Sequence, residues 1–108
     1  MTSPLLSVTE QNFETVVVRA SVPTLVDFTA AWCPPCRAIG PTVAALAEAY
    51  VGRAQVGECD IDENHALAQA LEIRSAPTLL VFKDGRVVGQ LVGAVPRARI
   101  EELLAKAL

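Results

Sequence analysis

The apolar positions of the chain change period along its length, and each change marks an element. A short apolar run at Leu5 to Val8 predicts a strand, and Thr9 is placed to cap a helix whose Phe13, Val16 and Val17 fall on one face. Pro23 to Thr29 is a near-continuous apolar run, as in a central strand covered on both faces, interrupted only by Asp27. A carboxyl is thereby set where burial makes charge costly. From Pro34 to Tyr50 the period becomes helical: Ile39, Val43, Leu46, Ala47 and Tyr50 recur on one side, and Pro41 within the run is expected to kink it.

Gln55 to Ile61 reads as a third strand, and Asp62-Glu63-Asn64 supplies an N-cap for a short helix with Leu67, Ala68 and Leu71 on its inner face. Pro77 to Phe82 is a fourth strand, joined through the turn Lys83-Asp84-Gly85 to a fifth, Arg86 to Val92, which predicts an antiparallel hairpin. A last helix runs from Pro96 to Leu108, with Ile100, Leu103, Leu104 and Leu108 as its apolar stripe. The order βαβαβαββα predicts an α/β fold in three layers, a central mixed β-sheet with helices on both faces.

No repeat, low-complexity tract or Gly/Ser linker divides the 108 residues, so residues 1–108 read as one domain. Hydrophobic residues make up 52% of the chain and charged residues 19%, enough apolar side chain to offset the ordering entropy of a domain and so to exclude disorder. A net charge of -3, with the nine Lys and Arg scattered, supplies no basic field for nucleic acid or an anionic membrane. Uncharged runs such as Ala38 to Ala47 reach only about ten residues, short of the roughly 18 that a membrane helix needs. Met1 to Glu10 holds no basic residue and no apolar stretch before a cleavage site, so it does not resemble a signal peptide; the expectation is a cytoplasmic protein.

Three cysteines are too few for a disulfide framework and odd in number, which suits a reducing compartment. Cys33 and Cys36 lie at a strand-to-helix junction, Trp32-Cys33-Pro34-Pro35-Cys36, where unpaired N–H groups and the helix dipole favour a negative sulfur. Cys33 is the natural nucleophile there, and Cys36, one turn further in and less exposed, is placed to resolve a mixed disulfide. Two other readings of the pair stand beside this one. Cys33, Cys36, Cys59 and His65 make a zinc set by count, although no second C-x-x-C follows. Alternatively the pair are two small buried hydrophobes.

The chain resembles the thioredoxin family over nearly its whole length. The residues that carry the likeness are Val26-Asp27-Phe28, Ala31-Trp32-Cys33-Pro34-Pro35-Cys36, Pro41, Asp60-Ile61-Asp62, Ile73-Arg74-Ser75-Ala76-Pro77-Thr78, Phe82-Lys83-Asp84-Gly85 and Val92-Gly93-Ala94. The resemblance implies the thioredoxin fold and a protein-disulfide reductase, an electron carrier in cell redox homeostasis. It would act as a monomer on disulfide-containing protein substrates, with no bound cofactor, its redox-active Cys33–Cys36 pair recharged by NADPH through a thioredoxin reductase. It also implies that Cys33 attacks the substrate, that Cys36 releases the product, and that Asp27 takes or relays the proton of Cys36. A carboxyl in an apolar strand is expected in any case to have a raised pKa, as a general base or simply as a buried, satisfied Asp. Pro77 matches the family's cis-proline, and Trp32, Pro34, Ala76, Pro77, Val92, Gly93 and Ala94 map onto its apolar docking surface; for Val92 a place in the core is the competing reading.

Two positions depart from the family pattern. Pro34 stands where the usual loop, Cys-Gly-Pro-Cys, has glycine; this removes a backbone N–H and stiffens the loop, effects that act on different redox states. Glu58 stands where many bacterial relatives place Lys: pointing inward it forms a coupled pair with Asp27, pointing outward it is a solvated strand residue. Cys59 reads as a buried strand hydrophobe and His65 as a surface helix residue. Two alternatives to the reductase are a thiol oxidase or disulfide isomerase, against which the absence of a signal peptide weighs, and a binding module with incidental chemistry.

Overall fold

The structure is a computed structural model and describes residues 4–108. Five strands form one sheet: β1 (Leu6–Ser7), β2 (Thr24–Thr29), β3 (Gln55–Asp60), β4 (Thr78–Lys83) and β5 (Arg86–Val92), in the order β1-β3-β2-β4-β5. β3 is parallel to β1 and β2, while β4 is antiparallel to β2 and β5, so the sheet is mixed as expected. The hairpin turns at Asp84 and Gly85, with φ of 53° and 78°, a pair of positive values that matches the twist of the strands it joins.

Side chains alternate across β2, and the alternation sorts the core into two halves. Leu25, with Val56, Leu79 and Val81, packs under α1 (Pro34–Ala49) and α3 (Arg97–Ala105) through Ile39, Val43, Leu46, Ile100 and Leu104. Val26 and Phe28, with Cys59, Leu80 and Phe82, pack on the other face under Phe13, Val17 and the α2 (His65–Ala70) residue Leu67. Asp27 therefore points to the α1 face. Each fully buried Leu, Val or Phe contributes roughly 1.5–3 kcal/mol to holding these layers together. Gly89 lets α3 approach: a Cβ there would come 2.6 Å from Leu103 Cδ1.

The structure differs from the sequence reading chiefly at the ends of elements. The helix after Thr9 is one wide i→i+5 turn, Glu14–Val18, with Arg19 N–H donating to the Glu14 carbonyl at 3.0 Å. Thr9 does cap the approach to it, Thr9 Oγ1 accepting from Asn12 N–H while Asn12 Oδ1 accepts from Thr9 N–H. Asn64 is the N-cap residue of α2, but its side chain is committed elsewhere, donating to the Asp60 carbonyl and accepting from Glu10 N–H; the Glu10 carboxylate caps α2 instead, accepting from Leu67 N–H at 3.1 Å. β4 starts at Thr78 because Pro77 has no N–H to give the ladder. The last helix stops at Ala105 and closes in i→i+3 turns, Ala107 N–H to the Leu104 carbonyl, which brings Ala107 under Leu104 and leaves Leu108 51% exposed rather than on the stripe.

Candidate active site

β2 ends at Thr29 and α1 begins at Pro34, so the intervening loop delivers Cys33 to the N-cap of α1 with extended backbone (φ -102°, ψ 107°). Pro34 and Pro35 occupy the first two helical positions, where a missing N–H costs no helical bond. The first donor of the helix is therefore Cys36 N–H, which donates to Cys33 Sγ at 3.2 Å. That bond and the positive end of α1 favour negative charge on Cys33. Cys33 and Cys36 form a disulfide, their Cα atoms 5.2 Å apart. Cys36 was expected to be the less exposed; in the disulfide the two are equally buried, at 2% and 3%, and what separates them is surroundings. Cys33 Sγ lies 3.4 Å from the Ala76 carbonyl oxygen, whereas Cys36 borders a cleft between α1 and β3.

The Ala76–Pro77 peptide is cis, and the loop is tied down on both sides: Thr78 Oγ1 donates to the Ser75 carbonyl at 2.6 Å, and Gly93 N–H donates to the Pro77 carbonyl at 2.9 Å. Gly93 has φ of 95°, in the region that favours glycine. Trp32, Pro34, Val92 and Ala94 are exposed, Ala76 and Gly93 half-buried. Val92 belongs to the surface and not the core. Pro77 is the exception among the expected surface residues, since its ring is buried beneath the loop it shapes. Trp32, 64% exposed, is held by its indole Nε1 donating to Asp62 Oδ2 at 2.7 Å.

Asp27 is 1% exposed, and its Oδ1 has no hydrogen-bond partner among the described residues. Burial first, and the carboxylate of Glu58 second, push its pKa up to about 7. Glu58 combines the two orientations considered for it. It pairs in parallel register with Asp27 and so shares its face of the sheet, yet it is exposed. It lines the cleft beside Cys36, about 420 Å³, together with Thr29, Arg37, Asp60 and Glu63.

Cys59 and His65 do not join the pair. Cys59 lies on the opposite face of the sheet, where burial, then Asp60 and Glu10, push its thiol up to about 11; His65 is exposed on α2. Among the described residues no group of three or more His, Cys, Asp or Glu is arranged to hold a metal. The anchoring of Trp32 by Asp62 went unread in the sequence, where Asp62 figured as part of a helix cap and of the Asp60-Ile61-Asp62 run that carries the family likeness, with no role at the site drawn from either.

The thioredoxin family model matches residues 4–106. Thioredoxin 1 of Nostoc sp. is 42% identical over 98% of this chain and 99% of its own length, thioredoxin 1 of Synechococcus elongatus 43% over 94% and 95%, and the thioredoxin of Haemophilus influenzae 37% over 94% and 95%. With a disulfide at the N-terminus of α1, a cis-proline loop against it and homology along nearly its whole length, this chain belongs to the thioredoxin family and is a protein-disulfide reductase working by dithiol–disulfide exchange at Cys33 and Cys36.

Proposed function

We propose that Cys33 is the attacking thiolate, Cys36 the resolving thiol and Asp27 the group that exchanges a proton with Cys36. The observation that carries this division is the single helix-start N–H, that of Cys36, directed at Cys33 Sγ beside the exposed rim, while Cys36 faces the cleft on the Asp27 side. Cys33 sulfur attacks one sulfur of the substrate disulfide, and the other substrate sulfur leaves as a thiolate. Cys36 S–H then gives its proton to the Asp27 carboxylate and attacks Cys33 sulfur; the mixed disulfide breaks, the second substrate thiol leaves, and two electrons have passed to the substrate. Trp32, Pro34, Ala76, Val92, Gly93 and Ala94 form the apolar rim on which an extended substrate segment docks, with Pro77 shaping the loop from below.

The whole chain serves as one thioredoxin domain and acts as a monomer in the cytoplasm. It is an electron carrier with no bound prosthetic group, recharged from NADPH by a thioredoxin reductase. No helix among the described residues is long and apolar enough to cross a membrane. The test is substrate trapping with oxidised insulin: Cys36→Ser is expected to accumulate a mixed disulfide through Cys33, and Cys33→Ser to form none. Trapping through Cys36 instead overturns the division of roles.

A further inference from the structure

We propose that Glu58 is a positioning residue for the Cys36 step, setting through Asp27 the pH at which Cys36 gives up or regains its proton; this rests on the proton role given to Asp27 above. Asp27 and Glu58 are partners in the parallel register of β2 and β3, so their side chains leave the same face of the sheet from adjacent strands. Thr29, two residues on along β2, lines a solvent-open cleft with Glu58 and Cys36, and the buried Asp27 leaves β2 on that same face one side-chain position behind it. The charged or titratable groups facing this space are Cys36 and Arg37 from α1, Glu58 and Asp60 from β3, and Glu63 after it; on the β4 side the register partner of Asp27 is the apolar Leu79. The cation, Arg37, directs its guanidinium to the Ala31 carbonyl at 2.9 Å. Among the described residues Asp27 thus meets a second carboxylate from its neighbouring strand and no cation paired to it.

A like charge on the same face disfavours the ionised form of Asp27, and it does so with opposite effect on the two halves of the cycle. When product is released, Asp27 must be ionised to take the Cys36 proton, so Glu58 delays that half to higher pH. When the Cys33–Cys36 disulfide is opened by an incoming thiolate on Cys33, Cys36 leaves as a thiolate and takes its proton from protonated Asp27, which Glu58 favours. The pair therefore biases the protein toward rapid recharging at neutral pH.

Glu58 is exposed, so Glu58→Gln is expected to fold normally, and Glu58→Asp serves as the conservative rescue. The two halves are followed against pH by rapid mixing, with oxidised insulin for release and dithiothreitol for recharging, while the Asp27 carboxyl is titrated by NMR. Glu58→Gln is expected to lower the Asp27 midpoint by about half a pH unit or more, to carry the rising limb of release down with it, and to slow recharging near pH 7; Glu58→Asp restores all three. An unmoved Asp27 midpoint, or an equal slowing of both halves, overturns the proposal. If the unaltered protein reduces no insulin at any pH, the reductase reading fails instead, and the Asp27 titration still reports on Glu58.

Discussion

Cys36 donates its backbone N–H to Cys33 Sγ at 3.2 Å, and it is the first residue of α1 with an N–H to donate. An N-cap side chain ordinarily draws on the N–H of the second or third helical residue, and here the second is Pro35. Pro35→Ala is therefore expected to give reduced Cys33 a second donor. The thiolate fraction at a fixed pH below neutrality should rise about two- to tenfold, the worth of one hydrogen bond, as read from the rate of iodoacetamide alkylation against pH. An alkylation profile identical to that of the parent protein contradicts this account of the helix start.

Asp27 links the site to stability. Its pKa is raised from 3.8 to about 7 in the folded protein, so the folded state holds the proton more tightly than the unfolded chain does. The sign follows: the protein is least burdened below about pH 4, and stability is lost as pH rises through about 7, by roughly 4 kcal/mol in all. Asp27→Asn is expected to be more stable than the parent at pH 8 by up to that order, with the gap closing toward pH 4. Urea unfolding of both proteins at the two pH values decides it.

Trp32 depends on Asp62 for its pose, and it is the one tryptophan of the chain, so its fluorescence reports on it alone. Asp62→Ala removes the acceptor of the 2.7 Å bond from an exposed site. The indole is expected to gain mobility, seen as lower fluorescence anisotropy, and KM for a protein disulfide to rise about two- to fivefold with kcat little changed, since the rim and not the sulfur chemistry is disturbed. Loss of kcat at constant KM is the contrary result.

Cys59 is expected to take no part in exchange. Buried among Val8, Phe28 and Leu80, with its thiol pushed up to about 11, it carries almost no thiolate at neutral pH. Cys59→Ala is expected to retain full insulin reduction while losing on the order of 1 kcal/mol of stability through the small cavity left. A fall in activity beyond that explained by unfolding contradicts this.

Periodicity was enough to read β2, β4 and α1, because β2 and β4 are unbroken buried runs covered on both faces and α1 repeats its apolar residues on one side. The ends were less legible where the deciding partner is distant in sequence: Glu10 caps α2 across 57 positions, and nothing near Leu67 announces it. At the site, the dithiol and Asp27 stood out as residue types in unusual places, while the loop at Pro77 was legible only through its likeness to the family. The pairing of Asp27 with Glu58 was one of two orientations open to that residue, and the sequence could not choose between them, because strand register is set by the three-dimensional sheet and the side to which an exposed Glu turns leaves no mark on its own sequence. The burial of Pro77 and the equal burial of the two cysteines likewise depend on how the loop from Ser75 packs over α1.

The reduction potential of the Cys33–Cys36 pair tests the central claim most directly. The protein is equilibrated in graded dithiol/disulfide buffers, its thiols are trapped by alkylation, and the alkylated cysteines are counted by mass. A reductase of this family is expected to show one two-electron transition near the value known for thioredoxin, about -270 mV. A midpoint at the roughly -180 to -120 mV of isomerases and oxidants, or no two-thiol transition at any poise, contradicts it.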